Sequence, residues 1–461
     1  MLCAAATVTL ACMQCLQAHA QSSPSPDLQA LKAKLQKLEQ EMEGLKSEIE
    51  AIEQAQPNPL ATAVRELASP PSPPMGNQKA STEQESLEGK IDLYGFVMLD
   101  SGYDFKTNDP NWFDVMRPTK LPAYAGQFAP DGKVYFGVRQ TRFGVKTATP
   151  TPLGDLKTQF EFELFGTGVD AGQTTFRLRT AYGELGQFGA GQTWSPFMDI
   201  DVFPNSLEFW GPNGMVFFRN VQFRWMPIRK GGLQLTFGAE RPGASADQGI
   251  YAGRIELQNV EPKFDLPDFS WQVRVIREWG YVQTAGIFRK ISWVDTGTGP
   301  YNLSDTVLGW GVNTSSNLKF GASNVGRFQV VYGHGIENYM NDAPVDIGIR
   351  NNFGNPITPI KGVPLPVLGV VAFLDHNWSP RFSSSAGYSM VNIWNSDAQL
   401  PSAFHQGEYA LANLLYHPIP KVTMGSEFQF GRRVNFSDGF NANDYRLQFG
   451  FKYDWSKSFA Y

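Results

Sequence analysis

The sequence predicts an all-β protein: a 16-stranded antiparallel transmembrane β-barrel preceded by an N-terminal α-helical coiled coil. Three observations lead there. Residues 446–455 form an amphipathic strand, sixteen strand-like segments follow one another with alternating short and long connections, and an unbroken heptad seam lies near the N-terminus.

In the last strand Leu447, Phe449, Phe451, Tyr453 and Trp455 alternate with Arg446, Gln448, Gly450, Lys452 and Asp454. A period of two means one apolar and one wet face. About ten residues is what a tilted strand needs to cross a hydrocarbon core. The apolar face ends in aromatics, as where a strand leaves lipid at headgroup level. Gln448, Gly450, Tyr453 and Trp455 also fit the C-terminal pattern read by the outer-membrane barrel assembly machinery, which makes that machinery an expected partner. An edge strand of a soluble β-sandwich shows the same alternation, so the decision falls to the rest of the chain.

Strand patterns occur at 91–99, 134–147, 155–165, 174–185, 188–194, 216–226, 233–240 and 268–277. They continue at 281–293, 306–315, 327–336, 369–378, 382–394, 406–417, 421–433 and 443–455. That makes sixteen, an even number as closed bacterial barrels require. Short turns such as 186–187, 278–280, 379–381 and 419–420 alternate with long polar segments at 104–133, 195–215, 241–267 and 337–368. Short turns on one side and long loops on the other is the outer-membrane pattern; a soluble sandwich or propeller has no reason to keep it through eight hairpins.

Composition agrees. The mean hydropathy of −0.28 and the lack of a long apolar run after the first residues exclude a helical membrane protein, but not a barrel, whose strands give only half their residues to lipid. The 45 glycines and 13% aromatics suit tight turns and interfacial girdles. Residues 1–89 carry eleven acidic and six basic side chains, and residues 90–461 thirty-three of each. Nothing in this distribution suggests a nucleic-acid surface.

Residues 1–20 read as a secretory signal peptide, apolar through Met13 and closing on Ala18-His19-Ala20, although no Lys or Arg precedes the apolar run. Lipid modification at Cys12 is the weaker alternative, since Thr9 stands where leucine is expected. All three cysteines lie in this segment, so the rest of the chain has no thiol chemistry. Residues 21–54 then form the coiled-coil helix. Leu28, Leu31, Leu35, Leu38, Met42, Leu45, Ile49 and Ile52 recur at alternating three- and four-residue steps. So short a helix is marginal alone, and its narrow stripe calls for partner helices, with docking on the same chain as the alternative. Residues 55–88 form a proline-rich linker (Pro57, Pro59, Pro70, Pro71, Pro73, Pro74) with no means of building a core. The barrel occupies 89–461.

The informative side chains are arginines on wet strand faces. Arg142, Arg177, Arg179, Arg224 and Arg274 each alternate with apolar neighbours. A charge on the lipid face near mid-bilayer costs about 2–4 kcal/mol, so these five are the candidate pore-lining and solute-contacting groups, with Arg446 and Lys452 on the same wall. Rows of guanidiniums lower the barrier for anions and grip carboxylates in pairs. Glu161 and Glu163 face the same way in the preceding strand, so bracing of the wall and solute contact both remain open for Arg177 and Arg179. Arg142, Arg224 and Arg274 show no such neighbour in sequence and are the better candidates. Segment 195–215 is the natural constriction loop. Folded inward, its Asp199, Asp201 and Glu208 would oppose the arginines and set up a transverse field; an ordinary external loop is the alternative.

Enzyme motifs are missing: there is no Gly-x-Ser-x-Gly elbow, phosphate loop or His-Glu-x-x-His helix. His334, His376, His405 and His417 are scattered without metal-ligand spacing. No cofactor, metal site or catalytic residue is expected.

Residues 89–94, Arg139-Gln140-Thr141-Arg142-Phe143-Gly144, 156–164 and Gly189-Ala190-Gly191-Gln192-Thr193-Trp194 through Met198-Asp199-Ile200-Asp201 resemble the DcaP-like porins. So do Gly211-Pro212-Asn213-Gly214 and Phe217-Phe218-Arg219-Asn220. The resemblance covers nearly the whole chain after residue 20, except the loops 104–133 and 337–368. It implies a homotrimeric, sixteen-stranded outer-membrane porin with a periplasmic coiled coil, taking up small and often negatively charged molecules including dicarboxylic acids. The expected function is therefore diffusion of small hydrophilic solutes with a preference for anions, with outer-membrane lipid and the solute itself as partners. The alternative is a structural protein tethering the envelope to peptidoglycan through its coiled coil.

Overall fold

The computed structural model describes Lys37, Gln40 and residues 89–461. The signal peptide, coiled coil and linker expected over 1–88 lie outside the described residues, apart from Lys37 and Gln40, which are helical and exposed. The chain divides into Met1–Gln84 and Glu85–Tyr461, and the barrel belongs to the second unit.

Twenty strands follow in order. The first seven are β1 (Lys90–Asp104), β2 (Lys133–Gly137), β3 (Arg142–Thr149), β4 (Leu156–Phe165), β5 (Thr174–Leu185), β6 (Phe188–Trp194) and β7 (Arg219–Lys230). Next come β8 (Leu233–Glu240), β9 (Val260–Lys263), β10 (Asp268–Arg277), β11 (Gly280–Asp295), β12 (Asp305–Phe320), β13 (Asn324–His334), β14 (Ile347–Asn351) and β15 (Ile360–Pro364). The last five are β16 (Pro366–Ser379), β17 (Phe382–Ile393), β18 (Phe404–Tyr416), β19 (Val422–Asn435) and β20 (Asn441–Ala460).

β14 and β15 form a separate hairpin, which leaves eighteen strands in one sheet. β2 and β3 both pair with the same side of β1, and β9 and β10 with the same side of β11, so each couple is one interrupted stave. Eighteen less two gives a barrel of sixteen antiparallel staves. β1 closes it against β20 in continuous register, from Lys90 opposite Ala460 to Asp104 opposite Arg446. No helix among the described residues is long and apolar enough to cross a membrane.

Every proposed strand has a counterpart, with shifted ends. The connection expected over 316–326 is a tight turn at Gly321 (φ +69°), and β12 runs on through Ser315, Ser316 and Asn317. Those polar residues hid the strand because the wall there faces a wet interior. β7 begins at Arg219 rather than at 216.

The polarity is that of a membrane barrel. Val97, Leu308, Val330 and Phe449 are more than half exposed on the outside. The largest fully buried side chains include Arg139, Arg289 and Arg446, inside. One half of the interior is apolar: Ile287, Val331, Val371, Phe373, Val391, Ile393 and Leu411 point inward from β11, β13, β16, β17 and β18. Against them pack Met116 and Leu121 from the first long loop, Phe197, Met198, Met215 and Val216 from 195–218, and Ile336 and Met340 from the loop after β13. Long connections thus fold into the barrel and fill that half, leaving free space along β3–β7.

Placing a charge on the outer belt tests this orientation. Phe449→Arg is expected to lower folding stability in bilayers by about 2–4 kcal/mol, measured as a shift in denaturant midpoint. Phe449→Leu should leave it nearly unchanged.

Candidate functional site

The free space is two adjoining cavities of about 380 and 430 Å³. Both are lined by Arg142, Arg179, Phe209 and Phe217, so these four side chains stand at their junction. Arg117, Arg177, Arg219 and Trp210 line the first; Glu161, Lys452 and Asp454 line the second.

The charged cluster follows from strand register. Arg142 on β3 lies opposite Glu163 on β4, and Glu163 opposite Arg177 on β5. A bulge inserts Arg179 between the residues facing Phe162 and Glu161. Arg177 Nε donates to Glu163 Oε1 at 2.7 Å and Arg179 Nε to Glu161 Oε1 at 2.8 Å. Arg179 also contacts Glu163. Arg142 lies 3.8 Å from each carboxylate, and Arg219, at the start of β7, 3.6 Å from Glu163. Four guanidiniums therefore share two carboxylates, an excess of two positive charges. Arg142 Nε, Arg219 Nη1 and Trp210 Nε1 are buried donors with no acceptor in the protein.

Segment 195–218 crosses the interior and is bonded to the wall along its length. Asp199 accepts from Arg274 Nη2 at 2.6 Å, Tyr281 Oη at 2.8 Å and Ser315 Oγ at 2.6 Å. Asp201 Oδ2 accepts from Arg274 Nη1 at 2.7 Å. Further on, the backbone N–H of Asn205 donates to Asp375, that of Leu207 to Glu427, that of Phe209 to Gln140 and that of Gly214 to Ser389 Oγ. The wall thus supplies acceptors on β16, β17, β19 and the break between β2 and β3, and the segment's own aromatic residues face the arginines.

Of the five arginines singled out in sequence, Arg142, Arg177 and Arg179 come together. Arg224 lies apart, donating to Gln222 Oε1 and the Trp194 carbonyl. Arg274 is bound to Asp199 and Asp201, so the absence of an acidic neighbour read for Arg142 and Arg274 does not hold. For Arg142 the carboxylates are Glu161 and Glu163 on the next strand of the wall; for Arg274 they come from a segment more than seventy residues away. Glu208 departs from expectation too. Rather than opposing the arginines, its fully buried carboxylate accepts N–H bonds from Trp210 at 2.9 Å and Gly211 at 3.2 Å and the Tyr409 hydroxyl at 3.1 Å. Burial, then the neighbouring Glu427 carboxylate, pushes Glu208 up to about 8.

Arg219 was not among the sequence candidates. Val221, Phe223 and Trp225 share its parity and are exposed on the outer face, yet at the start of β7 Arg219 reaches Glu163 and lines the first cavity. Arg117 belongs to the first long loop, 2.9 Å from Asp342 and stacked over Trp112 and Trp210 at 4.1 and 4.4 Å.

A closed sixteen-stave barrel with inward-folded loops around charged cavities has the architecture of an outer-membrane channel of the porin class. The chain belongs to the DcaP outer membrane protein family, whose model matches residues 12–454. The crystal structure of the outer membrane channel DcaP of Acinetobacter baumannii is similar at a TM-score of 0.68 and 20% identity, covering 82% of this chain and 100% of that one. Weaker similarity is found to an anion-selective porin from Comamonas acidovorans (TM-score 0.49, 12% identity, 80% of this chain and 100% of that one) and to the trimer form of Vibrio cholerae OmpT (0.48, 13%, 80% and 99%). No curated protein matches the chain.

Two outcomes follow. Arg274→Ala leaves the buried Asp199 carboxylate without its cation, at a cost of about 3–5 kcal/mol, and hydrogen–deuterium exchange over 198–204 should rise sharply. For Glu208, the ordinary carboxyl value is 4.5. Between there and about 8 the docked segment holds a proton that a released segment gives up, so docking weakens as pH rises through that window and no further above it. Single-channel conductance should change over the same window and become flat in Glu208→Gln.

Proposed function

We propose that this protein is a homotrimeric porin through which small hydrophilic solutes diffuse, anions such as dicarboxylic acids preferred, with no chemical step and no cofactor. The observation carrying this reading is the arginine cluster: four guanidiniums to two carboxylates, at the junction of the two cavities. An excess of two positive charges in a narrow, partly desolvated passage attracts anions and repels cations. Arg142, Arg177, Arg179 and Arg219 line the cavities and offer a carboxylate guanidinium groups to bond. A volume of 380 Å³, at roughly 30 Å³ per water, leaves a small diacid part of its hydration shell, so it is held weakly enough to leave.

The remaining parts of the proposal come from the sequence. The heptad helix of 28–52 joins three copies in the periplasm, and the apolar face of the closing strand meets outer-membrane lipid. The segment 195–218 acts as the constriction, with Asp199 and Asp201 fixing its position through Arg274 and Arg142, Arg177, Arg179 and Arg219 meeting the solute.

Planar-bilayer recording tests the reading. Reversal potentials across a salt gradient should show anion preference. Arg142→Ala with Arg219→Ala should raise the barrier to anions and lower that to cations by about 1 kcal/mol each per charge removed, so the anion-to-cation permeability ratio falls by roughly 25-fold per charge. No conductance would sink the channel; cation preference in the unaltered protein would sink the selectivity alone.

A further inference from the structure

One sector of the outer wall carries an ion pair. Strand alternation turns Tyr388, Glu408, Arg432 and Asn443 outward, because Ser389, Tyr409, Arg433 and Asp444 beside them are buried inside. Cross-strand register stacks the outward residues in rows. Tyr388 and Tyr445 lie in one row with Ala410 and Phe430 between them. The next row holds Glu408, Arg432 and Asn443, and the one beyond it Asn392, Gln406 and Asn441.

Depth decides what this means. From Tyr445 to Trp455 on β20 the outward residues are Leu447, Phe449, Phe451 and Tyr453. Ten residues at about 3.3 Å each, tilted by about 40°, rise roughly 25 Å, the height of an apolar belt. Tyr445 and Trp455 thus mark its two aromatic borders, and the charged row stands one step outside it, at headgroup level. Asp104, where the first long loop leaves β1, lies opposite Arg446. This end of β20 is therefore the long-loop side, which is extracellular in outer-membrane barrels.

The pair is lopsided. Glu408 accepts from Gln406 Nε2 at 3.1 Å and lies 3.5 Å from Arg432. Arg432 is 40% exposed and has no other partner among the described residues. By contrast Lys290, the outward cation of β11, is capped by Asp265 of its own chain at 2.9 Å. The extracellular leaflet of an outer membrane is built of glycolipid whose headgroup carries phosphates and sugar hydroxyls. A guanidinium fork matches phosphate, and side-chain amides both donate to and accept from hydroxyls.

We propose that this outward face of β17–β20 is a headgroup site for a phosphorylated glycolipid of the outer leaflet. Arg432 takes a phosphate, Asn443, Asn441 and Asn392 meet sugar hydroxyls, and the acyl chains run down the apolar rows below Tyr388 and Tyr445. Glu408 holds the guanidinium at headgroup level. The site is separate from the arginine-lined cavities and does not depend on what passes through them.

Native mass spectrometry of the detergent-purified protein, with lipid A (an acylated, bis-phosphorylated glucosamine disaccharide) added, tests this. Arg432→Gln should weaken lipid A binding by about tenfold, the worth of a charge-assisted contact, and Asn443→Ala by about threefold, that of a neutral one. Lys290→Gln should leave it unchanged. Unheated-gel mobility and single-channel conductance confirm that each variant is a folded barrel, and Arg432→Lys, which keeps the charge without the fork, should bind between wild type and Arg432→Gln. Unchanged affinity in both Arg432 variants, or an equal loss in Lys290→Gln, would overturn the site. So would equal binding of phosphatidylglycerol, which has the phosphate without the sugar, or displacement of lipid A by millimolar inorganic phosphate.

Discussion

A buried guanidinium held against a carboxylate is the interaction on which the interior of this barrel depends. Arg446 Nε sits 2.6 Å from Asp104, Arg274 bridges Asp199 and Asp201, and Arg289 lies 3.0 and 2.9 Å from Asp268 and Asp346. Each also serves a different long connection: Arg446 donates to the Phe113 carbonyl in the first loop, Arg274 grips 195–218, and Arg289 donates to the Gly335 carbonyl. Ion pairs of this kind add little net stability when buried, but removing one partner strands the other at large cost. They act as positional locks. The apolar contacts beneath fill space without choosing a geometry, and the arginines choose it.

The same chemistry recurs at the passage with one difference of proportion. At the three locks the carboxylates match or outnumber the guanidinium. Along β3–β7 four guanidiniums meet only two carboxylates, and the surplus faces open volume. Structural pairing and solute attraction are thus separated by stoichiometry more than by residue type. Packing on the β11–β18 side contributes by confining free space to the charged sector.

Much of this was legible in the residues. A period of two placed the sixteen staves, except for the β9 part of one, which lies in the segment read as the polar connection 241–267, and set Arg142, Arg177, Arg179 and Arg274 on the wet face, because lipid on one side keeps the alternation. Segment 195–215 announced itself by length, acids and aromatics. What stayed hidden depends on contacts distant in sequence. Glu427 lies more than two hundred residues from Glu208, yet it shares the burial that moves Glu208 away from the arginines. Arg219 has the parity of a lipid-facing residue, yet from the first position of β7 it reaches Glu163. The first loop and the one after β13 read as polar connections, because Met116, Leu121 and Met340 follow no period.

The pairing of Asp104 with Arg446 joins residues 342 positions apart across the closing seam. Asp104 ends the first strand to be made and Arg446 belongs to the last. Until β20 arrives, Asp104 has no cation and the Phe113 carbonyl no donor, so the first loop lacks one of its anchors, beside Asp114 on Arg139 and Arg117 on Asp342. The earliest loop thus keeps one of its anchors for the last strand. A barrel that fails to zip at its seam is also one whose passage is not yet shaped.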